Sequence, residues 1–366
     1  MRSTEGVYYS RLDHVRALAV YLVFCWHFLH MTPQFPVPYA SAPVFPLALI
    51  DEGHTGVALF MTLSGYLFAK LAAGRQIDFG GFLWNRTMRL APLLAACIAA
   101  WAFIGWCTGH PIPLSRIIDG FVLPTWPYGT WSVSIELHFY LVFPLLLLAV
   151  RRYGPLALLG VVAAALLLRF DWWRTYGEVQ HLAYWTIFGR IDQFTLGMLF
   201  ALAPPSRRAL NILAAVIAVA FLVFWQVFDQ IGGYYDNAGS SPNPLWIVIP
   251  TVEALTWSCL IAWYDGAAFI TMPRRLDRAL AKIGEWSYSI YLLHFFPAVW
   301  LRHVFFTQVG TRSDFYAAWL VATLAFVAFL PVAAMSYIYF ERRFLAYRRP
   351  YLRARSDPAD AVAVPR

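Results

Sequence analysis

The sequence predicts an all-α, polytopic membrane protein of about ten transmembrane helices with N- and C-termini cytoplasmic, and three observations carry that reading. Hydrophobic residues fill 60% of the 366 positions and charged residues only 13%, against roughly a quarter in an ordinary soluble domain. Apolar runs recur from residue 12 to residue 340 with no polar domain between them, and each is near the roughly 20 helical residues that a hydrocarbon core requires. Lys and Arg, finally, alternate between dense and sparse connections, as they do in chains threaded through a bilayer. A membrane β-barrel is excluded, because its strands read as alternating segments of roughly ten residues.

The runs place spans at 12–30, 55–70, 90–107, 131–150, 155–169, 185–203, 209–228, 245–264, 286–306 and 315–340. With the N-terminus inside, 22 Lys and Arg fall on inside segments and five outside, at Arg116, Arg169, Arg174, Arg302 and Arg312, with Arg190 left within a helix. The positive-inside rule then sets both ends in the cytoplasm. The formal charge of +8 is therefore topological and does not indicate nucleic acid. Arg342, Arg343, Arg348, Arg349, Arg353 and Arg355 would rest against anionic membrane lipid.

Residues 1–345 are expected to form one transmembrane domain and 346–366 a basic, disordered cytoplasmic tail. The first run carries Asp13, Arg16 and His27 and lacks a small-residue cleavage site, so it reads as a retained helix rather than a signal peptide. Cys25, Cys97, Cys107 and Cys259 show no C-x-x-C spacing and indicate neither a metal site nor a disulfide framework. The outside loops 31–53 and 229–244 are rich in Pro or Gly and are either lids or solvated spacers.

An ionisable side chain at the centre of a span costs about 2.5 kcal/mol or more, so each one calls for a partner or a function. Arg16 and His27 are eleven residues apart, which is three turns plus roughly 20° and about 16 Å along the axis, hence one helical face. Arg16 falls at the cytoplasmic rim and His27 near mid-membrane, and Asp13 can hold the guanidinium in place. That geometry suits group transfer, with arginine gripping a phosphate-bearing donor and histidine taking a proton deeper in. The plainer alternative makes Arg16 a topological anchor and His27 a bridge between helices.

In the fourth span Ser132, Glu136 and Tyr140 follow at four-residue steps, so a carboxylate stands between two hydroxyls on one face. It would orient a histidine, neutralise an arginine or clamp two helices. Arg86 and Arg89, ahead of the third span, either clamp a phosphate or pyrophosphate or serve as anchors. Arg190 and Asp192 add polar groups to the sixth span. Ser287, Tyr288, Tyr291 and His294 form a further stripe, and His30 reads as a loop-entry or substrate-facing residue.

Taken in order, the Arg11–Arg16 run with His27, Leu63–Leu67 with Ser64 and Gly65, the Arg86 and Arg89 pair, Trp131–Pro144, Gly284–His294 and Glu341 resemble the acyltransferase 3 family of bacterial membrane enzymes. Each motif is weak alone, but the ordered set covers essentially the whole chain. The resemblance implies transfer of an acyl group from cytoplasmic acyl-CoA, most often acetyl-CoA, to a hydroxyl of a saccharide, glycolipid or related cell-envelope acceptor, with no metal. It implies that Arg16, Arg86 and Arg89 meet the donor and that His27 is catalytic, either as general base or by accepting the acyl group itself. Glu136 would orient the imidazole or pair an arginine, and Ser132, Tyr140, Tyr288 and His294 would face substrate or the developing oxyanion. His14 stands where the family has glycine, and Leu137 with His138 replaces a more acidic or amide pair, which leaves acceptor choice less predictable. The extracytoplasmic hydrolase domain that some members carry at the C-terminus is not expected here. A transporter or flippase of a lipid-linked saccharide is the competing class, but it would not need donor phosphates at the rim and no inverted repeat is visible.

Overall fold

A computed structural model describes residues 9–30, 44–126, 129–236, 239–267, 271–296 and 315–354. Arg302, Arg312, most of the first outside loop and Ser356–Arg366 fall outside the described residues. Helix α1 (Ser10–His30), the single turn α2 (Ala48–Asp51) and helix α3 (Thr55–Ala72) open the chain. A short strand β1 (Arg75–Ile77) leads into α4 (Phe79–Cys107), α5 (Leu114–Asp119) and α6 (Trp131–Tyr153). After a turn at Pro155–Ala157 come α7 (Leu158–Tyr176), α8 (Gln180–Trp185), α9 (Ile187–Leu202) and α10 (Arg207–Gln230). The ribbon of β2 (Tyr235–Asp236) and β3 (Gly239–Ser240) precedes α11 (Ile249–Asp265), α12 (Arg274–Glu285) and α13 (Ser287–Leu293). Helix α14 (Phe315–Ser336) passes through a π turn (Tyr337–Glu341) into α15 (Arg342–Leu345), and β4 (Leu352–Ala354) follows.

Among the described residues seven helices are long and apolar enough to cross a membrane: α1, α3, α4, α6, α7 with its leading turn, α10 and the stretch from Phe315 to Leu345. The all-α membrane class therefore stands. The predicted spans at 185–203 and 245–264 are the 16-residue α9 and the 17-residue α11, short of the roughly 20 residues of a straight crossing. The one predicted at 286–306 is described only as far as Phe296. Two boundaries move. Helix α4 begins at Phe79 rather than near residue 90, so Arg86 and Arg89 sit on the helix itself. Helix α7 runs on to Tyr176, so Arg169 is a fully buried helical residue and not an outside-loop cation.

Helices α1 and α3 are central, with α9, α11, α12 and α13 packed on them. The outer helices turn apolar faces outward: Leu141 and Leu145 on α6, Leu167 on α7, Val216 and Val219 on α10, and Leu320 and Leu324 on α14 are all exposed. Lipid solvates such a surface and water does not. Between helices the approach is close enough to require glycine. A Cβ on Gly65 would lie 2.0 Å from the Phe194 carbonyl oxygen of α9, and one on Gly197 would lie 2.2 Å from the Thr62 carbonyl oxygen of α3. Small residues of this kind let backbones meet where a bilayer supplies no hydrophobic drive between helices.

Polar clasps complete the bundle. Arg169 of α7 donates to Asp192 of α9 at 2.7 Å and to Thr251 of α11 at 2.6 Å, and neither charged side chain is exposed. His14 bonds the Tyr264 hydroxyl at 2.7 Å and the Asp277 carbonyl at 3.0 Å, so this departure from the family's glycine staples α1 to α11 and α12. The predicted tail from residue 346 is structured in its first part. Strand β4 pairs antiparallel with β1, Ile77 opposite Leu352, and the Asn85 amide clasps both backbone groups of Arg349, at 2.7 and 2.8 Å. Composition makes that segment look like a basic tail because hydrogen bonds from Asn85, Trp84 and β1, not an apolar run, hold it down.

Replacing Gly65 or Gly197 by Val is expected to destabilise the protein by about 1–3 kcal/mol or more, since the neighbour is backbone and cannot swing aside. Thermal unfolding in detergent measures this, with Gly160→Ala, which meets nothing within 4 Å, as the unchanged control. Wild-type melting of Gly65→Val would refute the close approach.

Candidate active site

Helices α1, α3, α4, α6 and α13 enclose a cavity of about 820 Å³, its open mouth included. Helix α1 contributes Arg16, α4 contributes Arg86 and Arg89, and α6 contributes Ser132, Glu136 and Tyr140. Helix α13 adds Ser287, Tyr288 and Tyr291, and α3 places Ser64 in a wall otherwise made of side chains such as Phe60 and Phe68. Seven of the nine residues singled out from the sequence thus share one cavity, brought from four helices.

Three arginines line this cavity, Arg86 beside Phe68, Arg89 beside Tyr288 and Arg16 beside Asp13. Asp13, fully buried one turn before Arg16, accepts a hydrogen bond from its guanidinium. Arg89 stands 3.9 Å from the Glu341 carboxylate and over the Tyr288 ring. Glu341 is turned inward from the π turn and accepts the Ser289 hydroxyl proton. Arg86 lies over Phe68 and Phe82, 4.9 and 5.7 Å from their ring centres, and its buried Nε has no hydrogen-bond partner among the described residues. Burial, then the charges of Arg89 and Arg86, hold the nearby Arg348 below its usual value. An anion entering beside these side chains would relieve repulsion among several guanidiniums at once.

Elsewhere in the cavity the Tyr291 hydroxyl donates to the Gly129 carbonyl at 2.8 Å, so the 2.6 Å bond between Tyr291 and Ser132 has serine as donor. Tyr140 donates to Glu136, and Tyr288 donates to the Leu90 carbonyl at 2.6 Å. Every hydroxyl proton assigned to an oxyanion from the sequence already has an acceptor. Glu136 also accepts from Ser64 at 3.2 Å, and its bonds go to these hydroxyls rather than to His27.

His27 is not among the residues that line the cavity. It is buried inward, not against lipid, and its Nδ1 lies 3.0 Å from Nε2 of His294. Tyr291, which closes the cavity, precedes His294 by three residues, so one turn of α13 separates the cavity from the paired imidazoles. Ser64, Tyr291 and Glu341 were not picked out as site residues in the sequence. Ser64 and Tyr291 were visible as members of polar runs, whereas Glu341 depends on a π turn that residue spacing does not reveal. His138 donates to the Phe121 carbonyl at 2.8 Å and does not line the cavity, so it gives no direct handle on an acceptor there.

Beyond His27 a second polar cluster lies between α2 and the end of α10. His30 bonds the Trp26 carbonyl at 3.1 Å and approaches Asp51 at 3.5 Å, which is a structural rather than an open position. Asp51 shares a hydrogen bond with Asp229, which needs a proton between the two carboxyls. Glu52 accepts the Tyr234 N–H at 3.1 Å and lies 3.0 Å from His54. Burial, and for Asp51 the adjacent Glu52 charge, pushes both carboxyls up to about 7.

Residues 9–338 match the model of the acyltransferase domain family, and the chain belongs to that family of acyltransferases. A peptidoglycan O-acetyltransferase of Listeria monocytogenes is 23% identical over 334 residues, covering 79% of this chain and 49% of its own. A Staphylococcus aureus protein provisionally named as an O-acetyltransferase is 24% identical over 336 residues, covering 79% of this chain and 50% of its own. The chain spans about half the length of the curated relatives it matches. No solved structure matches it.

The raised carboxyls of Asp51 and Glu52 make a signed prediction. Their protonated forms favour the fold, so the stability they contribute is complete below about pH 4 and is lost as pH rises through about 7. Melting temperature in detergent should fall from pH 5.5 to pH 8, and Glu52→Gln should flatten that fall. An unchanged slope in the variant would mean that Glu52 is charged in the fold.

Proposed function

We propose that this protein is a membrane O-acyltransferase that moves an acyl group, in the simplest case acetyl, from cytoplasmic acyl-CoA to a hydroxyl of a cell-envelope saccharide or glycolipid. The observation that carries the reading is that Arg16, Arg86 and Arg89 line one cavity, whose Tyr291 wall lies one helical turn from His294, the partner of His27. Family membership supports the reaction class, and the names of the relatives support O-acetyl transfer, with peptidoglycan named for one of them. In this reading the arginine end faces the cytoplasm, both termini lie there, and the shorter α9 and α11 belong to a bundle of about ten spans, in keeping with the Lys and Arg distribution.

The guanidinium forks suit the phosphates of CoA, and Arg86, whose Nε has no protein partner, is the side chain with most to gain. The acyl-bearing arm would run along the apolar wall of α3 toward Ser132 and Tyr291. Reaching His27 requires the Tyr291–Ser132 bond to part. His27 then takes the proton of the acceptor hydroxyl as its oxygen attacks the thioester carbonyl. A C–O bond forms, the C–S bond breaks, and the imidazolium returns the proton to the departing thiolate. Ser132, at the far end, would turn its hydroxyl to the carbonyl oxygen once the donor displaces its present acceptor, while Tyr140 and Tyr288 would line the path of the acyl-bearing arm.

His27→Ala is expected to lower acetyl incorporation into surface glycan by at least about 100-fold while the protein still inserts and is still stabilised by CoA. Near-wild-type acetylation in that variant removes His27 from the chemistry. Arg16→Ala or Arg89→Ala should raise KM for acetyl-CoA by roughly 10-fold or more, as loss of a charge-assisted hydrogen bond does. An unchanged KM would return both residues to the role of topological anchors.

A further inference from the structure

The two buried imidazoles reveal where their protons are. His294 Nδ1 lies 2.7 Å from the Tyr291 carbonyl oxygen and 3.0 Å from that of Ile290. Carbonyl oxygens only accept, so this nitrogen carries hydrogen. A neutral imidazole has one N–H, which leaves a lone pair on His294 Nε2. That lone pair faces His27 Nδ1 at 3.0 Å, so His27 Nδ1 must be the donor. The lone pair of His27 is then on Nε2, and the Val23 carbonyl, which the same ring also bonds, must share the Nδ1–H. Both rings are fixed in place: Phe295 packs 4.4 Å from the centre of each, and Phe24 lies 5.8 Å from His294.

We propose that His294 is a positioning residue for His27, accepting its Nδ1–H so that the Nε2 lone pair is presented to the acceptor hydroxyl. The inference rests on the reading of His27 as the base. It also changes the role expected for His294 from the sequence. With one nitrogen committed to backbone carbonyls and the other to His27, it has nothing left with which to hold substrate or an oxyanion. When His27 takes the proton, its Nδ1–H becomes the donor of a cationic ring, and the bond to His294 is charge-assisted and stronger. The interaction therefore grows toward the transition state, and its loss falls on kcat rather than on donor affinity. The Nδ1 hydrogen bonds of His294 continue the end of α13, so its own ring is set by the helix that also supplies Tyr288 and Tyr291 to the cavity.

Two amide variants separate positioning from packing. In His294→Gln the side-chain carbonyl can reach the place of Nε2 and still accept from His27. In His294→Asn the amide reaches only the place of Nδ1, so it keeps the bonds to the backbone carbonyls and takes the His294 acceptor away, leaving the His27 ring the Val23 carbonyl one turn back. Purified variants would be tested with acetyl-CoA and a saccharide acceptor, after size-exclusion and CoA-induced stabilisation establish that each is folded. His294→Asn is expected to lose about 100-fold or more in kcat with KM for acetyl-CoA within about twofold of wild type, and His294→Gln to stay within about 10-fold. Equal kcat in the two variants, or full activity in His294→Asn, overturns the proposal. Should the Asn variant not fold, a folded His294→Gln that binds CoA yet loses kcat as His27→Ala does overturns it alone. His27→Ala, assayed alongside, keeps the two readings apart. An inactive His27→Ala with an active His294→Asn discards only the positioning role, whereas an active His27→Ala discards the base itself.

Discussion

Leaving a charge without a partner at hydrocarbon depth costs several kcal/mol even after the surroundings relax. Most of the core is arranged around that constraint. Arg169 reaches Asp192 and Thr251, Arg190 reaches Gln193 and lies on the Tyr184 ring, and Gln193 in turn reaches Glu253. Asp13 takes Arg16, and Asp265 takes both Lys70 and Tyr66. Against this background Arg86 stands out. It has aromatic faces beside it and, among the described residues, no partner for its Nε, in the wall of a cavity that Arg16 and Arg89 also line.

Backbone proximity turns these pairings into a site. Because Gly65 and Gly197 let α3 lie directly on α9, the neighbouring Ser64 is held at a fixed height against α6, where it meets Glu136. At Gly284 an added carbon would sit 1.9 Å from the Asp13 carbonyl oxygen, so α12 rests on α1 beside the residue that holds Arg16. The π turn at Tyr337–Glu341 contributes in the same way, since its wider winding aims Glu341 at Arg89 and Ser289. Glycine and an extra residue per turn have no chemistry of their own, yet they decide which polar groups can meet.

The membrane class and much of the cavity lining were legible in the sequence, because helical spacing is a local property. Four-residue steps put Ser132, Glu136 and Tyr140 on one face, and all three do line the cavity. What spacing cannot supply is the partner across a gap between helices. It left open whether Glu136 serves a histidine or an arginine, and the structure bonds it to Ser64 and Tyr140. It put Arg16 and His27 on one side of α1, but only the packing of α13 shows that Arg16 lines the cavity while His27 lies beyond Tyr291. The number of crossings turns on α9 and α11, which carry apolar runs of near-spanning length in helices of 16 and 17 residues.

The strand pair of β1 and β4 carries a practical consequence. Residues 347–354 are fastened to the start of α4 by Asn85, by the Trp84 indole and by the two-stranded ladder, one to two turns from Arg86 and Arg89. Whatever is joined behind Ala354, whether a fluorescent reporter or an affinity handle, therefore departs from beside the arginine cluster and not from a free-swinging leash. Trimming the chain ahead of Tyr347 would strip the collar from α4, so a loss of donor binding after such trimming speaks about scaffolding and not about the arginines themselves.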